Sequence, residues 1–216
     1  MHILHILLCL TFSYLMGSIP FSLIIGKLFF KKDVREYGSK NLGGTNTGRV
    51  LGKPVGLLVM ILDQVKAVLA ILLVCLYAKQ FTPNLVNLII YLSAIFIVIG
   101  HCYPIFANFK GGKAVACTFG IIFITNIYIY LITLLVYAII LKLTKFVSFS
   151  SISIFFISGL LTLIPFFRTS PLLSEVTFRF GYTILIFSLA LFVVYKHRSN
   201  IKRLQAGTES KIKWMG

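Results

Sequence analysis

Apolar residues fill this chain in long blocks, at about 3–28, 54–78, 85–107, 114–141, 148–167 and 181–195, with polar connections between them. Crossing the hydrocarbon of a bilayer takes roughly 20 residues of α-helix, so the pattern predicts an all-α integral membrane fold. Five of the blocks suit single helices. The block at 114–141 is too long for one comfortable span and carries a polar pair, Thr125-Asn126, which predicts two short helices joined by a tight turn. Counting that block twice gives seven transmembrane helices. No internal repeat, heptad or low-complexity run is present, and the reading is a single polytopic membrane domain over 1–216.

Charge supplies the orientation. Hydrophobic residues make up 58% and charged residues 12%, against about 25% charged in soluble domains. Lys and Arg number 21 against 5 Asp and Glu, and each unpaired charge in hydrocarbon would cost roughly 2.5–3.5 kcal/mol. The bases therefore belong to helix ends and connections, and cytoplasmic connections are those that collect them. With seven spans, one face receives the loops at about 29–53, 108–113 and 142–148 and the tail at 196–216, which hold nearly all the Lys and Arg. The other face receives only Lys79, Arg168 and Arg179. This predicts an extracytoplasmic N-terminus and a cytoplasmic C-terminus.

The same distribution argues against nucleic acid as a partner, because the bases lie in short connections rather than on one solvated domain. The first block has no basic residue before its apolar core and no small-x-small cleavage site, and is read as a retained span rather than a signal peptide. Cys9, Cys75, Cys102 and Cys117 show neither CxxC nor metal-ligand spacing and read as packing residues. No metal site is expected.

Chemistry must then come from the connections. The first, from Asp33 to Arg49, is dense in glycine, hydroxyl and amide residues. Glycines let backbone N–H groups approach an anion, Ser, Thr and Asn add neutral hydrogen bonds, and Arg49 offers a planar charged fork suited to phosphate. An ordinary glycine-rich interhelical loop is the bland alternative. The second piece, His101 to Lys113, ends in Gly111-Gly112-Lys113 directly before an apolar run, which would set free N–H groups, the positive end of a helix dipole and an ammonium in one place. It is not a Walker A loop, since the upstream glycine is missing and Ala114 stands where Ser or Thr would hold magnesium. Simple charge anchoring for Lys110 and Lys113, and a backbone-bonded helix end for His101, are the alternatives.

In the tail, His197 and Asn200 are three apart, so a helical extension of the last span would turn both the same way. A basic amphipathic tail resting on anionic lipid would also fit its lysines and arginines. Asp63 and Lys66 lie one helical turn apart inside the second block, as a functional pair or a structural ion pair.

The stretches GSKNLGGTNTGR at 38–49, GHCYPIFANFKGGKA at 100–114 and HRSNIKRLQAGTE at 197–209, in that order, resemble the three motifs of the bacterial acyl-phosphate:glycerol-3-phosphate acyltransferase (PlsY) family. The similarity extends to KFVSFSSI at 145–152 and to the hydrophobic layout, so it covers nearly the whole chain. It departs at Lys40 and Gly44, where the family usually has Gly and Ala, and at Ala114, where it usually has Gly.

The resemblance implies seven spans in the bacterial cell (inner) membrane with an active site at the cytoplasmic face, and transfer of a fatty acyl group from acyl phosphate to the sn-1 hydroxyl of glycerol 3-phosphate. The products would be 1-acylglycerol 3-phosphate and phosphate, at the first step of phospholipid synthesis. No metal or organic cofactor is implied. It assigns Ser39 and Arg49 to a phosphate of the donor or leaving group, with Asn41, Thr45 and Asn46 shaping the loop. Gly111, Gly112 and Lys113 would hold the acceptor phosphate. Ser148 would add a hydroxyl contact, with Ser150 and Ser151 as substitutes. His197 and Asn200 would orient the acceptor, the proton going either to His197 or to the leaving phosphate, and Glu209 would brace the tail by pairing with a nearby base. A groove between spans would take the acyl chain from membrane lipid, and a soluble acyl-phosphate-forming enzyme is a candidate partner for the basic face.

Two other classes compete. An organic-phosphate transporter would also use basic loops and the Asp63–Lys66 pair, but predicts further polar residues deep in several spans. A scaffold recruiting anionic lipid would not require Ser39, Arg49, Gly112 or His197.

Overall fold

The structure, a computed structural model, describes residues 2–168, 172–173 and 180–212. It divides into two compact units, 1–124 and 125–216. The first contains α1 (His2–Ser18), α2 (Phe21–Phe30), α3 (Gly44–Leu51), α4 (Lys53–Phe81), α5 (Val86–Cys102) and α6 (Val115–Thr125). The second contains α7 (Ile127–Thr144), α8 (Val147–Leu161), α9 (Phe180–Lys196) and α10 (Arg198–Gln205).

Four stretches among the described residues are long and apolar enough to cross a membrane: His2–Phe30, Lys53–Phe81, Pro83–Ala107 and Ile127–Thr144. The bent pair α9 and α10 makes a fifth, and Val115–Thr125 and Val147–Leu161 are shorter apolar helices. The 29 residues of α4 give about 43 Å, whereas the 11 of α6 give only about 16 Å, roughly half a bilayer core.

The long fourth block does break where expected. Asn126 alone separates α6 from α7 and caps α7, accepting from the Ile129 N–H at 3.0 Å while its amide donates to the Phe167 carbonyl at 2.9 Å. Three other places differ from expectation. The first block is two helices, interrupted at Ile19-Pro20, because proline cannot supply the N–H that would continue α1. Part of the glycine-rich first connection is helical, as α3. And the chain bends by 62° between α9 and α10, so the tail is no straight extension of the last span. Of the residues used to orient the chain, Arg179 and Lys213 lie outside the described residues.

Without a water-driven hydrophobic effect, helices in lipid associate through close approach of small residues and through side-chain hydrogen bonds. In the first unit α1 and α5 meet at Gly17 and Gly100. A β-carbon on Gly17 would fall on the Ile97 carbonyl, and one on Gly100 on the Tyr14 carbonyl. A β-carbon on Gly56 of α4 would lie 2.6 Å from the Gly48 Cα of α3. Cys9, Val74, Ala78 and Ile89 form one apolar cluster, and Leu23, Val34, Leu42 and Ala107 another beneath the first connection. In the second unit hydroxyl pairs fasten the helices, Thr133 to Ser158 at 2.8 Å and Thr162 to Thr183 at 2.9 Å. Large apolar side chains such as Leu4, Leu58, Leu73, Leu135 and Leu191 face outward, as a lipid-facing surface requires.

Candidate functional site

The polar loops of the first unit are built around one asparagine. Asn46, in the first turn of α3 and 2% exposed, donates its amide to the carbonyls of Val34 (2.9 Å), Asn41 (3.0 Å) and Tyr37 (3.2 Å) and accepts the Ser39 N–H at 2.8 Å. It gathers residues 34–41 onto α3, something no regular backbone ladder does here. Ser39 itself is exposed, as is Arg49 on the last turn of α3, while Thr45 is half-buried. Asp33 and Arg35 flank this turn. The Arg35 guanidinium reaches the Asp33 carboxylate at 2.6 Å and the Ala107 carbonyl at 3.2 Å. Its hydrogen bonds hold the Asp33 carboxyl well below the usual carboxylate range, at about 2.

Asn41 joins this loop to the second predicted piece. Its amide donates to the Gly111 carbonyl at 3.2 Å, and the Leu42 N–H reaches the same oxygen at 3.4 Å. Gly111, Gly112 and Lys113 precede α6, as the spacing predicted, with only Ala114 between. Lys40 and Ala114, two of the positions where this chain departs from the family pattern toward a bulkier residue than Gly, adopt left-handed conformations with φ of 56° and 69°. A side chain there costs roughly 1–2 kcal/mol, so glycine at those positions has a backbone reason.

Beneath the Gly-Gly turn lies a cluster that spacing alone did not reveal. Asp63, Lys66 and His101 are all buried, at 2%, 2% and 6% exposure. Lys66 Nζ sits 2.7 Å from Asp63 Oδ1, 3.2 Å from His101 Nδ1 and 2.7 Å from the Ile19 carbonyl. Cys117 donates its thiol to the Asp63 backbone carbonyl at 3.3 Å. Asp63, His101 and Cys117 bring ligand-type atoms within 4.8 Å of one another, but the Lys66 ammonium occupies the cation position between carboxylate and imidazole.

The second unit has its own polar centre at Glu209, whose side chain is only 6% exposed. It accepts from Ser148 Oγ at 2.8 Å, Asn200 Nδ2 at 2.7 Å and Arg203 Nε at 2.7 Å. Burial raises the Glu209 pKa, but the hydrogen bonds from Asn200, Ser148 and Arg203 outweigh it, and the carboxyl titrates below its ordinary value. Ser150 and Ser151 donate back to the Phe146 and Val147 carbonyls of their own helix, so Ser148 is the serine turned to this cluster. His197 is buried at the bend between α9 and α10, in the bridge region with φ −96° and ψ 6°. Its Nδ1 lies 2.8 Å from the Val193 carbonyl. A carbonyl cannot donate, so Nδ1 carries a proton, and in the neutral form of the ring the lone pair is on Nε2.

Residues 7–207 match the family described as glycerol-3-phosphate acyltransferase. The chain belongs to that family. It is 41% identical over 207 residues to the glycerol-3-phosphate acyltransferase of Enterococcus faecalis, covering 96% of this chain and 92% of the relative. Against that of Listeria monocytogenes it is 40% identical over 213 residues, covering 98% and 99%. Two crystal structures of PlsY, an integral membrane glycerol 3-phosphate acyltransferase, share the fold. The glycerol 3-phosphate form aligns with TM-score 0.82 at 31% identity, covering 96% of this chain and 95% of that one. The lysophosphatidic acid form gives 0.79 at 30%, with the same coverage. The chain is therefore a multi-pass membrane acyltransferase of the PlsY family, acting in phospholipid synthesis.

Proposed function

We propose that this enzyme transfers a fatty acyl group from acyl phosphate to the sn-1 hydroxyl of glycerol 3-phosphate, releasing 1-acylglycerol 3-phosphate and phosphate. The observation that carries the reading most directly is the Gly111-Gly112-Lys113 turn ahead of α6, held by Asn41 and rich in N–H groups and positive charge, which is the chemistry an organic phosphate needs. The relatives' solved forms with glycerol 3-phosphate and lysophosphatidic acid are consistent with acceptor and product.

Acyl phosphate is an activated mixed anhydride, so catalysis is chiefly a matter of holding two anions and presenting a hydroxyl to the carbonyl carbon. Two unit charges 4 Å apart repel by about 4 kcal/mol at an effective dielectric of 20, which basic and N–H groups must offset. Arg49 and Ser39 are assigned to the donor phosphate on a loop shaped by Asn41, Thr45 and Asn46, and Gly111, Gly112 and Lys113 to the acceptor phosphate. The acceptor oxygen attacks the carbonyl carbon, the bond from that carbon to the phosphate oxygen breaks, and phosphate leaves. His197 and Asn200 orient the attacking hydroxyl. With its Nδ1–H on Val193, His197 has its lone pair on Nε2, and the hydroxyl proton goes either to that nitrogen or to the leaving phosphate. Ser148 spends its proton on Glu209 and so offers substrate an oxygen acceptor.

The acyl chain is assigned to an apolar groove of about 430 Å³ lined by Ile19, Leu23, Ile24, Leu28 and Phe106 among others, with Lys27 as its charged lining residue. Seven membrane-embedded segments, an extracytoplasmic N-terminus and motif loops at the cytoplasmic face of the bacterial inner membrane complete the proposal. A soluble acyl-phosphate-forming enzyme is the class of partner that would feed the donor.

The test is phosphate release from palmitoyl phosphate by protein purified in detergent or lipidic mesophase, with and without glycerol 3-phosphate. Release should depend on the acceptor and fall at least about 100-fold in Arg49→Ala and His197→Ala. Folded protein that releases no phosphate with any acyl chain would remove the reading.

A further inference from the structure

The Asp63–Lys66–His101 cluster is buried ionic material to which no step of the transfer is assigned, and its geometry is that of a support. Lys66 has three N–H bonds and three polar atoms around it: the Ile19 carbonyl, Asp63 Oδ1 and His101 Nδ1. The Lys66 ammonium holds the His101 ring at Nδ1, 3.2 Å away. Nδ1 also lies 3.6 Å from Asp63 Oδ1. The imidazole is thus fixed in position from one side.

The other side faces the Gly-Gly turn. A β-carbon placed on Gly112 would fall on His101 Nε2 and within 2.8 Å of Cε1 and Cδ2. The Gly112 N–H donates to the His101 carbonyl at 2.9 Å, and a β-carbon on Gly111 would fall on that same carbonyl. The cluster also reaches the helix that follows the turn, through the Cys117 thiol on the Asp63 carbonyl. Both ends of the 111–113 segment therefore rest on α4 and α5 through these residues, while Asn41 closes it from above.

We propose that Asp63, Lys66 and His101 are positioning residues for the acceptor-phosphate turn: Asp63 and Lys66 lock the His101 ring, and the ring is the surface on which Gly112 is moulded. The proposal rests on the assignment of Gly111, Gly112 and Lys113 to the acceptor phosphate. It accounts for an ion pair in an apolar span, where a charge without a role is selected against, and for glycine rather than alanine at 112.

His101→Asn tests it without sacrificing the fold, since the asparagine oxygen can still accept from Lys66 while the ring edge against Gly112 is gone. In the full-length protein in lipidic mesophase, this variant should raise KM for glycerol 3-phosphate at least tenfold, with KM for palmitoyl phosphate within twofold of wild type. Gly112→Ala should be as damaging alone, yet add little in the His101→Asn background, where the methyl has room. Hydrogen exchange supplies a readout independent of turnover: the amides of 111–113 should exchange at least tenfold faster in His101→Asn, with α4 unchanged. A KM for glycerol 3-phosphate within twofold, additive losses in the double variant, or unaltered exchange would each overturn the proposal. If wild type shows no acceptor-dependent release, the acyl-transfer reading falls, and the exchange measurement still decides whether the cluster holds the turn.

Discussion

Each unit of this protein has a polar cluster centred on a buried carboxylate, and the two are built in opposite ways. Asp63 is inside a span, neighbours a lysine on its own helix one turn away, and collects His101 from another helix. Glu209 lies in the tail beyond the last helix and reaches back to Ser148 at the start of α8 and to Asn200 and Arg203 of α10. The first is dry ion-pair chemistry, where breaking the pair leaves a charge with nothing to replace water. The second is a tether whose arginine is 42% exposed, where solvent can take over part of what is lost. One fixes a turn from beneath; the other keeps a segment from leaving.

The largest effect should come from stranding the buried charge. Lys66→Met leaves Asp63 facing an imidazole, and unpairing a buried ion costs about 3–5 kcal/mol, enough to remove most folded protein; thermal unfolding in detergent reads this directly. Replacing both charges, as Asp63→Leu with Lys66→Leu, should recover much of that stability, because well-packed apolar residues often match a buried pair. Recovered acceptor binding as well would mean that the cluster does not hold the turn.

Glu209→Gln should be milder, about 1.5–3 kcal/mol, and local. Its signature is faster tryptic cleavage at the tail bases Lys202, Arg203 and Lys211 with the rest of the protein intact; global loss of protection would mean that the tail is more than a tether.

Acid separates surface from interior next. Asp33 and Glu209 both titrate below their ordinary values of 3.8 and 4.5, so each stabilises the fold fully above those values and loses its contribution as pH falls. For Asp33 the loss runs from the ordinary value down to about 2. Asp33→Asn should flatten the stability profile over that window and lower it by a constant amount above about pH 5. Smallest of all, Ala114→Gly and Lys40→Gly should each gain no more than about 1 kcal/mol, relief of a left-handed side chain being offset by glycine's greater freedom when unfolded. A loss in either melting curve would place the cause of those departures outside backbone strain.

Much of this was legible in the sequence, for reasons that can be named. The break at Thr125-Asn126 showed because a polar pair interrupts an apolar block, and the Asp63–Lys66 pair showed because three residues along a helix is a local relation. The break at Pro20 was hidden because the apolar block continues on both sides of it. Helix α3 was hidden by its glycines, which by propensity favour a loop; close approach of Gly44 and Gly48 to α4 stabilises it, and that is tertiary information. His101 joins Asp63 across 38 positions of chain, and Glu209 joins Ser148 across 61; no periodicity encodes either. The straight extension expected of the tail overlooked the bend at His197, which breaks the turn-to-turn register that spacing assumes.

The seam between α3 and α4 bears on how fast this enzyme can work. Gly44 and Gly48 touch Gly56 backbone to backbone, and Asn46 between them ties the preceding turn to the same helix. A loop fastened in that way resists swinging open as a lid, and its exposed side chains, Ser39 and Arg49 among them, are left to rearrange on the time of a rotamer flip rather than of a segment. Any step of turnover that needs this loop is then set by side-chain rearrangement and not by opening of its backbone.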